Sequence, residues 1–193
     1  VSKDYLVYSA ADIIAHCIEG YFTASVQPTF INRQIESIIK TVIETTEKLI
    51  ENPNNYDARA EFAWASTCAL NGLTYIGTKD FSYPNHMIEH SLSALYNVPH
   101  GAGLSVVIPA WMKWYYSKNS IQFERFANDI FGLYSSQEGI QALENWFNKI
   151  GTPTKLGQFN IPTSDTNKIL ENLLGNTEYF GIKEIYTKEV HRE

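Results

Sequence analysis

Three of the five histidines in the sequence lie in one short segment, residues 86–100. His86 and His90 are four residues apart among apolar neighbours typical of a buried helix, so both imidazoles are expected on one helix face. His100 follows Pro99, where a helix usually stops, and is therefore expected in the loop after that helix. Neutral imidazole is the commonest transition-metal ligand. The segment predicts part of a metal site, although the spacing does not select among the three histidines.

A second pair of potential ligands lies upstream. Asp12 and His16 are also four residues apart, within an apolar run that includes Ile13, Ile14 and Cys17. A carboxylate and an imidazole among apolar side chains are costly to bury unless they bind something. A divalent cation shared between the two helices would satisfy both groups. Glu19, three residues beyond His16, is expected to be either solvated or a carboxylate that orients a ligand.

Two alternatives compete with this interpretation. Residues 86–90 also fit H-x-x-E-H, the inverted zinc-peptidase pattern, in which His86 and His90 would bind zinc and Glu89 would activate water. That interpretation leaves Asp12 and His16 without a role. The other alternative is a non-catalytic helical domain whose buried histidines are purely structural.

The composition is that of a soluble globular protein. Of 193 residues, 44% are hydrophobic and 19% are charged, and 15 basic against 21 acidic side chains give a net charge of −6. This charge argues against nucleic acid or an anionic membrane as a partner. The longest apolar stretch, residues 102–112, is shorter than the roughly 20 residues of a membrane helix. Cys17 and Cys68 are expected to be reduced core thiols, and with no visible signal peptide this indicates a cytoplasmic protein.

Apolar positions recur with helical spacing along the chain, and no stretch alternates convincingly with period two. The sequence therefore predicts an all-α fold, with Asp57 capping the third helix and residues 101–103 forming a short connection. The predicted helices are 5–23, 29–50, 57–72, one beginning at His86, 104–116, 121–131, 137–150 and 163–174.

These motifs resemble the iron-dependent (group III) alcohol dehydrogenases. The resemblance rests on Asp12-x-x-x-His16, on His86-x-x-x-His90 and on Pro99-His100-Gly101, in that order. It covers nearly the whole chain. It is closest to the butanol dehydrogenase branch, on segments 56–60, 64–65, 69–72, 88–96 and 109–113.

The resemblance implies that Asp12, His16, His86 and His100 bind one divalent metal, Fe2+ or in some members Zn2+. His90 would then line the active site without binding metal and is a candidate to relay a proton. The implied activity is the NAD(P)-linked interconversion of primary alcohols and aldehydes, with NAD(H) or NADP(H) as the second cofactor. The expected partners are a small alcohol or aldehyde, with a homodimer as one option for the assembly.

The resemblance also implies that residues 1–193 are the helical C-terminal domain alone. The sequence starts at Val1, and residues 188–193 read as the beginning of a helix, so we expect truncation at both ends. No G-x-G-x-x-G or P-loop pattern occurs in it. The family's nucleotide-binding domain is expected to precede Val1, and the fragment alone is expected to lack dehydrogenase activity.

Overall fold

The computed structural model describes residues 1–184 and 186, and the predicted helix start at residues 188–193 lies outside them. Within the described part the chain is all-α, as predicted, with short 3-10 turns between some of the helices. The helices are α1 (Lys3–Thr23), α2 (Thr29–Glu51), α3 (Tyr56–Leu70), α4 (Pro84–Tyr96), α5 (His100–Tyr115), α6 (Ser120–Phe131), α7 (Ser136–Ile150) and α8 (Thr166–Tyr179).

Helix α1 lies at the centre of the fold. Ser2 caps its start by accepting a hydrogen bond from the Tyr5 N–H. From Leu6 to Phe22 most of its side chains are buried, which is the pattern of a helix enclosed by others. It packs against α2, α3, α4 and α5. Any side chain of α1 that faces α4 or α5 is therefore held in a fixed position relative to those helices.

Helices α4 and α5 follow one another with a tight connection. Pro84 is the first residue of α4, and Asn97, in the left-handed conformation, ends it. Pro99 then immediately precedes α5. The prediction of a loop histidine at position 100 was wrong, because His100 is the first residue of α5.

The predicted connection at residues 101–103 was wrong for the same reason, since it forms the first turn of α5. Glycine is needed at positions 101 and 103 because α5 approaches its neighbouring helices closely there. A Cβ on Gly101 would lie 2.1 Å from the backbone oxygen of Tyr8, and one on Gly103 would lie 2.5 Å from Oε1 of Glu89. The glycines let α5 approach α1 and α4 instead of interrupting the helix.

The cap of α3 and the limits of α8 also differ from prediction. Asn55, not Asp57, caps α3 by accepting a hydrogen bond from the Ala58 N–H. The last helix, predicted at 163–174, begins later because residues 163–165 form a 3-10 turn before α8. It also ends later, at Tyr179. None of the helices in residues 1–184 has the length and hydropathy needed to span a bilayer.

Candidate metal centre

Helix α1 presents Asp12 and His16 on one face, as their spacing predicts. Nε2 of His16 lies 3.5 Å from Oδ1 of Asp12. The Asp12 side chain is 36% exposed, so it is less buried than the apolar sequence around it indicates. Its Oδ1 atom, however, is buried. One carboxylate oxygen of α1 is therefore turned inward, towards the neighbouring helices.

Helices α4 and α5 bring two further imidazoles to the same oxygen. Nε2 of His86 lies 3.4 Å from Asp12 Oδ1, and Nε2 of His100 lies 3.5 Å from it. The four residues predicted to bind metal thus converge from three helices on one point. The His100 side chain is 39% exposed, so the cluster opens to solvent on that side.

His16 stands slightly apart from the other three. Asp12, His86 and His100 each offer one ligand atom, and these atoms all lie within 4.8 Å of one another. No such compact set in the described part of the chain includes His16. Its ring is nevertheless close to that of His86, with centroids 4.4 Å apart. The assignment of all four residues as metal ligands, His16 included, stays a prediction.

Several polar atoms of this cluster are buried without a partner. Within residues 1–184, no hydrogen bond reaches Oδ1 of Asp12, Nε2 of His86 or Nδ1 of His16. Buried polar atoms are normally satisfied, and unsatisfied ones are costly. Three imidazole nitrogens and one carboxylate oxygen suit Zn2+ or Fe2+. The residues present therefore fit a divalent transition-metal ion.

A buried carboxylate holds His86 from behind. Glu19 Oε2 is hydrogen-bonded to His86 Nδ1, and its Oε1 accepts from the backbone N–H groups of Asn85, at 2.5 Å, and His86, at 3.1 Å. Of the two roles expected for Glu19, the structure supports the orienting one, because this residue is fully buried. With Nδ1 engaged, Nε2 of His86 is the atom free to bind a metal.

A second buried carboxylate does the same for His100. Glu89 Oε2 is hydrogen-bonded to His100 Nδ1, and Ser93 Oγ donates to Glu89 Oε1 at 2.5 Å. Sequence reasoning missed this contact, because Glu89 and His100 lie on separate helices and no local spacing joins them. The available signal was Gly103, whose missing Cβ leaves room for the Glu89 carboxylate.

His90 lies beside the cluster and is exposed. Its ring centroid is 5.6 Å from that of His100 and 5.5 Å from that of Phe180. Glu89, His90 and His100 form a second set of close ligand atoms, so distance alone does not separate His90 from the ligands. Burial lowers the pKa of His90; Glu89 opposes this, and the neighbouring His100 and His86 lower the pKa further.

The charged groups of the cluster shift one another's pKa values. Burial raises the pKa of Asp12, but the nearby imidazoles outweigh it and hold that pKa well below its usual range. Burial and the His86 charge lower the pKa of His16 to about 4, against the effect of Asp12. For His86, burial lowers the pKa, but Asp12 and Glu19 raise it to about 9. The carboxylates of Asp12 and Glu89 outweigh burial and raise the pKa of His100 to about 10.

The geometry argues against the peptidase alternative. In that mechanism Glu89 would have to face a metal-bound water. Here Glu89 is fully buried, and its oxygens are engaged by His100 and Ser93. The unsatisfied atoms of Asp12 and His86 also argue against purely structural histidines, because a structural cluster would satisfy its own polar atoms.

Among curated proteins, the chain is similar in sequence to NADH-dependent butanol dehydrogenases. The chain is 29% identical over 198 residues to the probable NADH-dependent butanol dehydrogenase 1 of Bacillus subtilis, covering 98% of this chain and 51% of that protein. It is 32% identical over 170 residues to NADH-dependent butanol dehydrogenase A of Clostridium acetobutylicum, and that match covers 83% of this chain and 43% of that protein. The chain thus spans about half the length of the curated relatives it matches.

A solved structure is similar to this chain in both fold and sequence. The crystal structure of NADH-dependent butanol dehydrogenase A from Thermotoga maritima superposes with a TM-score of 0.93 at 42% identity, covering all of this chain and 51% of that one. The model of the Fe-containing alcohol dehydrogenase family, C-terminal, matches residues 6–189. The chain therefore belongs to the iron-containing alcohol dehydrogenase family and corresponds to its helical C-terminal domain.

Proposed function

We propose that this chain supplies the metal-binding and substrate-binding half of an NAD(P)-dependent dehydrogenase that interconverts primary alcohols and aldehydes. The observation that supports the proposal most is the convergence of three imidazole Nε2 atoms on Asp12 Oδ1, at 3.4–3.5 Å. The names of the relatives, butanol dehydrogenases that use NADH, support the reaction class and the nicotinamide cofactor.

Asp12, His16, His86 and His100 would hold the ion. A bound divalent cation supplies Lewis acidity, which favours the alkoxide form of an alcohol and polarises an aldehyde carbonyl. Fe2+ and Zn2+ both suit the donor set, and the proposal extends to either. The carboxylate of Glu19 fixes the Nδ1 side of His86, so its Nε2 atom need not reorganise when the ion binds.

His90 would handle the proton of the alcohol. It is exposed and next to His100, so it touches both the cluster and solvent. A neutral imidazole in that place accepts a proton from the substrate side and passes it outward. Hydride transfer is the chemistry of the nicotinamide, and the protein supplies orientation and charge. We propose that most of the residues that bind the nucleotide belong to the preceding domain of such an enzyme, and that the chain alone does not turn over butanal with NADH.

The test is metal content by elemental analysis after anaerobic purification. The wild-type chain is expected to carry close to one equivalent of iron or zinc, and His90→Ala is expected to retain it. His100→Ala is expected to lose it. Retention in His100→Ala with loss in His90→Ala would overturn the ligand set in favour of the Glu89, His90 and His100 group. Absence of metal from the wild-type chain, even after incubation with Fe2+ or Zn2+, would overturn the metal centre altogether.

A further inference from the structure

Glu89 has no role in the ligand set described above, yet it is fully buried between α4 and α5. A buried carboxylate needs charged or hydrogen-bonding partners. Its partners are His100 and Ser93. We propose that Glu89 is a positioning residue, which fixes the His100 imidazole so that Nε2 faces Asp12 and so sets the affinity of the centre for its metal. This inference rests on the metal centre proposed above.

The contacts of Glu89 restrict both of its oxygens. Oε2 is bonded to His100 Nδ1, and Oε1 lies 2.5 Å from Ser93 Oγ. Ser93 Oγ also lies 2.9 Å from the carbonyl oxygen of Val98, so the Ser93 hydroxyl proton lies between these two acceptors. The carboxylate therefore cannot rotate without losing one partner.

The backbone of α5 encloses the carboxylate on its remaining side. A Cβ at Gly103 would lie 2.5 Å from Glu89 Oε1 and 2.7 Å from its Cγ. Gly103 is one turn beyond His100 on the same helix, so the element that carries the ligand also confines the group that orients it. A surface ion pair would show none of this confinement.

The chemistry of imidazole explains why this contact acts on the metal. In the neutral imidazole that binds a metal, an Nδ1–H that donates to a carboxylate fixes the tautomer and leaves the Nε2 lone pair as a better donor to the ion. His100 is also the more exposed of the two imidazoles whose Nδ1 binds a carboxylate, at 39% against 9% for His86. Its ring has less packing to hold it, so the bond to Glu89 is expected to matter more for its orientation.

The experiment uses Co2+ as the probe, because its d–d absorption reports the ligand field and its dissociation constant can be titrated. Four forms of the chain are compared: wild type, Glu89→Gln, Ser93→Ala and the matched control Ser91→Ala. Ser91 is a serine of the same helix whose hydroxyl contacts Asn176 and not the cluster. Circular dichroism and thermal unfolding of the metal-free forms report folding separately.

We expect Glu89→Gln to bind Co2+ about 10–100-fold more weakly, with shifted d–d bands, the effect usual for loss of such a partner. Ser93→Ala should change the Co2+ affinity and the d–d bands in the same direction but by less. Ser91→Ala should match wild type in both. A purely structural Glu89 would instead lower thermal stability and leave the dissociation constant and the bands unchanged.

The outcomes separate this inference from the proposed function. If wild type binds Co2+ and both Glu89→Gln and Ser93→Ala bind it with the same affinity and spectrum, the positioning role is wrong and the metal centre stands. If Glu89→Gln does not fold, unchanged binding by Ser93→Ala is enough to reject the role. If wild type binds no Co2+, the metal centre and this inference fall together.

Discussion

Two inward-facing clusters of charged side chains lie in the part of the chain that the structure describes, and they differ in whether the protein satisfies their hydrogen-bonding atoms. In the first, Glu36 is almost completely buried in α2, and Arg125 of α6 binds both of its oxygens, at 2.5 and 2.9 Å. The hydroxyl of Tyr21 donates to the same carboxylate at 2.8 Å. In the second, Asp12 Oδ1 and His86 Nε2 have no hydrogen-bond partner in the described part of the chain.

This difference separates a structural cluster from a candidate binding cluster. The Glu36 cluster is complete without a ligand, so it joins α1, α2 and α6 and has nothing left to bind. The Asp12 cluster is incomplete in the protein alone, and the atoms left over are the donors that a divalent ion needs. Burial and charge are common to both, and the unsatisfied atoms are what indicate function.

The largest effect is expected from Arg125→Met in the structural cluster. Removing one partner of a buried ion pair leaves an uncompensated charge, here on Glu36, and costs about 3–5 kcal/mol. The free energy of unfolding, measured by urea denaturation, should fall by that amount, and the metal content of the folded chain should not change. Metal loss from folded Arg125→Met would show that the two clusters are coupled. The double variant Glu36→Leu/Arg125→Met should recover part of the stability, because no buried charge remains.

The next largest effect concerns metal added to the binding cluster. Zn2+ at one hundred times its dissociation constant should raise the free energy of unfolding by about 2.7 kcal/mol, if it binds only the folded chain. Asp12→Asn should lose this increment, because the ion loses its only carboxylate ligand. Denaturation curves with and without Zn2+ measure this rise in the free energy of unfolding. Arg125→Met serves as a control, because it is expected to show the same rise as wild type. An unchanged increment in Asp12→Asn would remove Asp12 from the ligand set.

A smaller effect is expected from the tyrosine of the structural cluster at high pH. Burial and the charge of Glu36 raise the pKa of Tyr21 well above its ordinary value of 10. The folded chain then keeps a proton that the unfolded chain loses, so this stability is present below pH 10 and is lost as pH rises above it. The expected loss is about 1.4 kcal/mol per pH unit for one such group.

Tyr21→Phe should flatten the alkaline fall in stability by that amount. Tyr75, whose pKa is also raised by burial, should still contribute. Urea denaturation between pH 9 and pH 11 would measure the slope, and an identical slope in both forms would show that the Tyr21 proton does not stabilise the folded chain.

The sequence predicts a good part of this arrangement. Helical spacing of apolar residues predicts the all-α fold, and the two pairs spaced four residues apart predict which side chains share a face of α1 and of α4. The glycines after His100 misled the prediction of α5. Glycine commonly interrupts helices, and only the packed structure reveals that Tyr8 and Glu89 need the space.

The contacts between distant residues could not be predicted. Glu36 and Arg125 are separated by 89 residues, and each occurs in an ordinary amphipathic helix. The bond between Glu89 and His100 likewise depends on how closely α5 approaches α4. Spacing reports which residues share a face of one helix, and it carries no information about which faces of different helices meet.

The bonds of Glu19 have a consequence for how the centre forms. This α1 carboxylate binds the first backbone N–H groups of α4 and the ring of His86 together. We therefore expect the candidate centre to be preorganised, with the cost of ordering two helices and an imidazole met by folding. An arriving ion needs to lose only its water and displace protons, so loading and removal of the metal are expected to be reversible without unfolding.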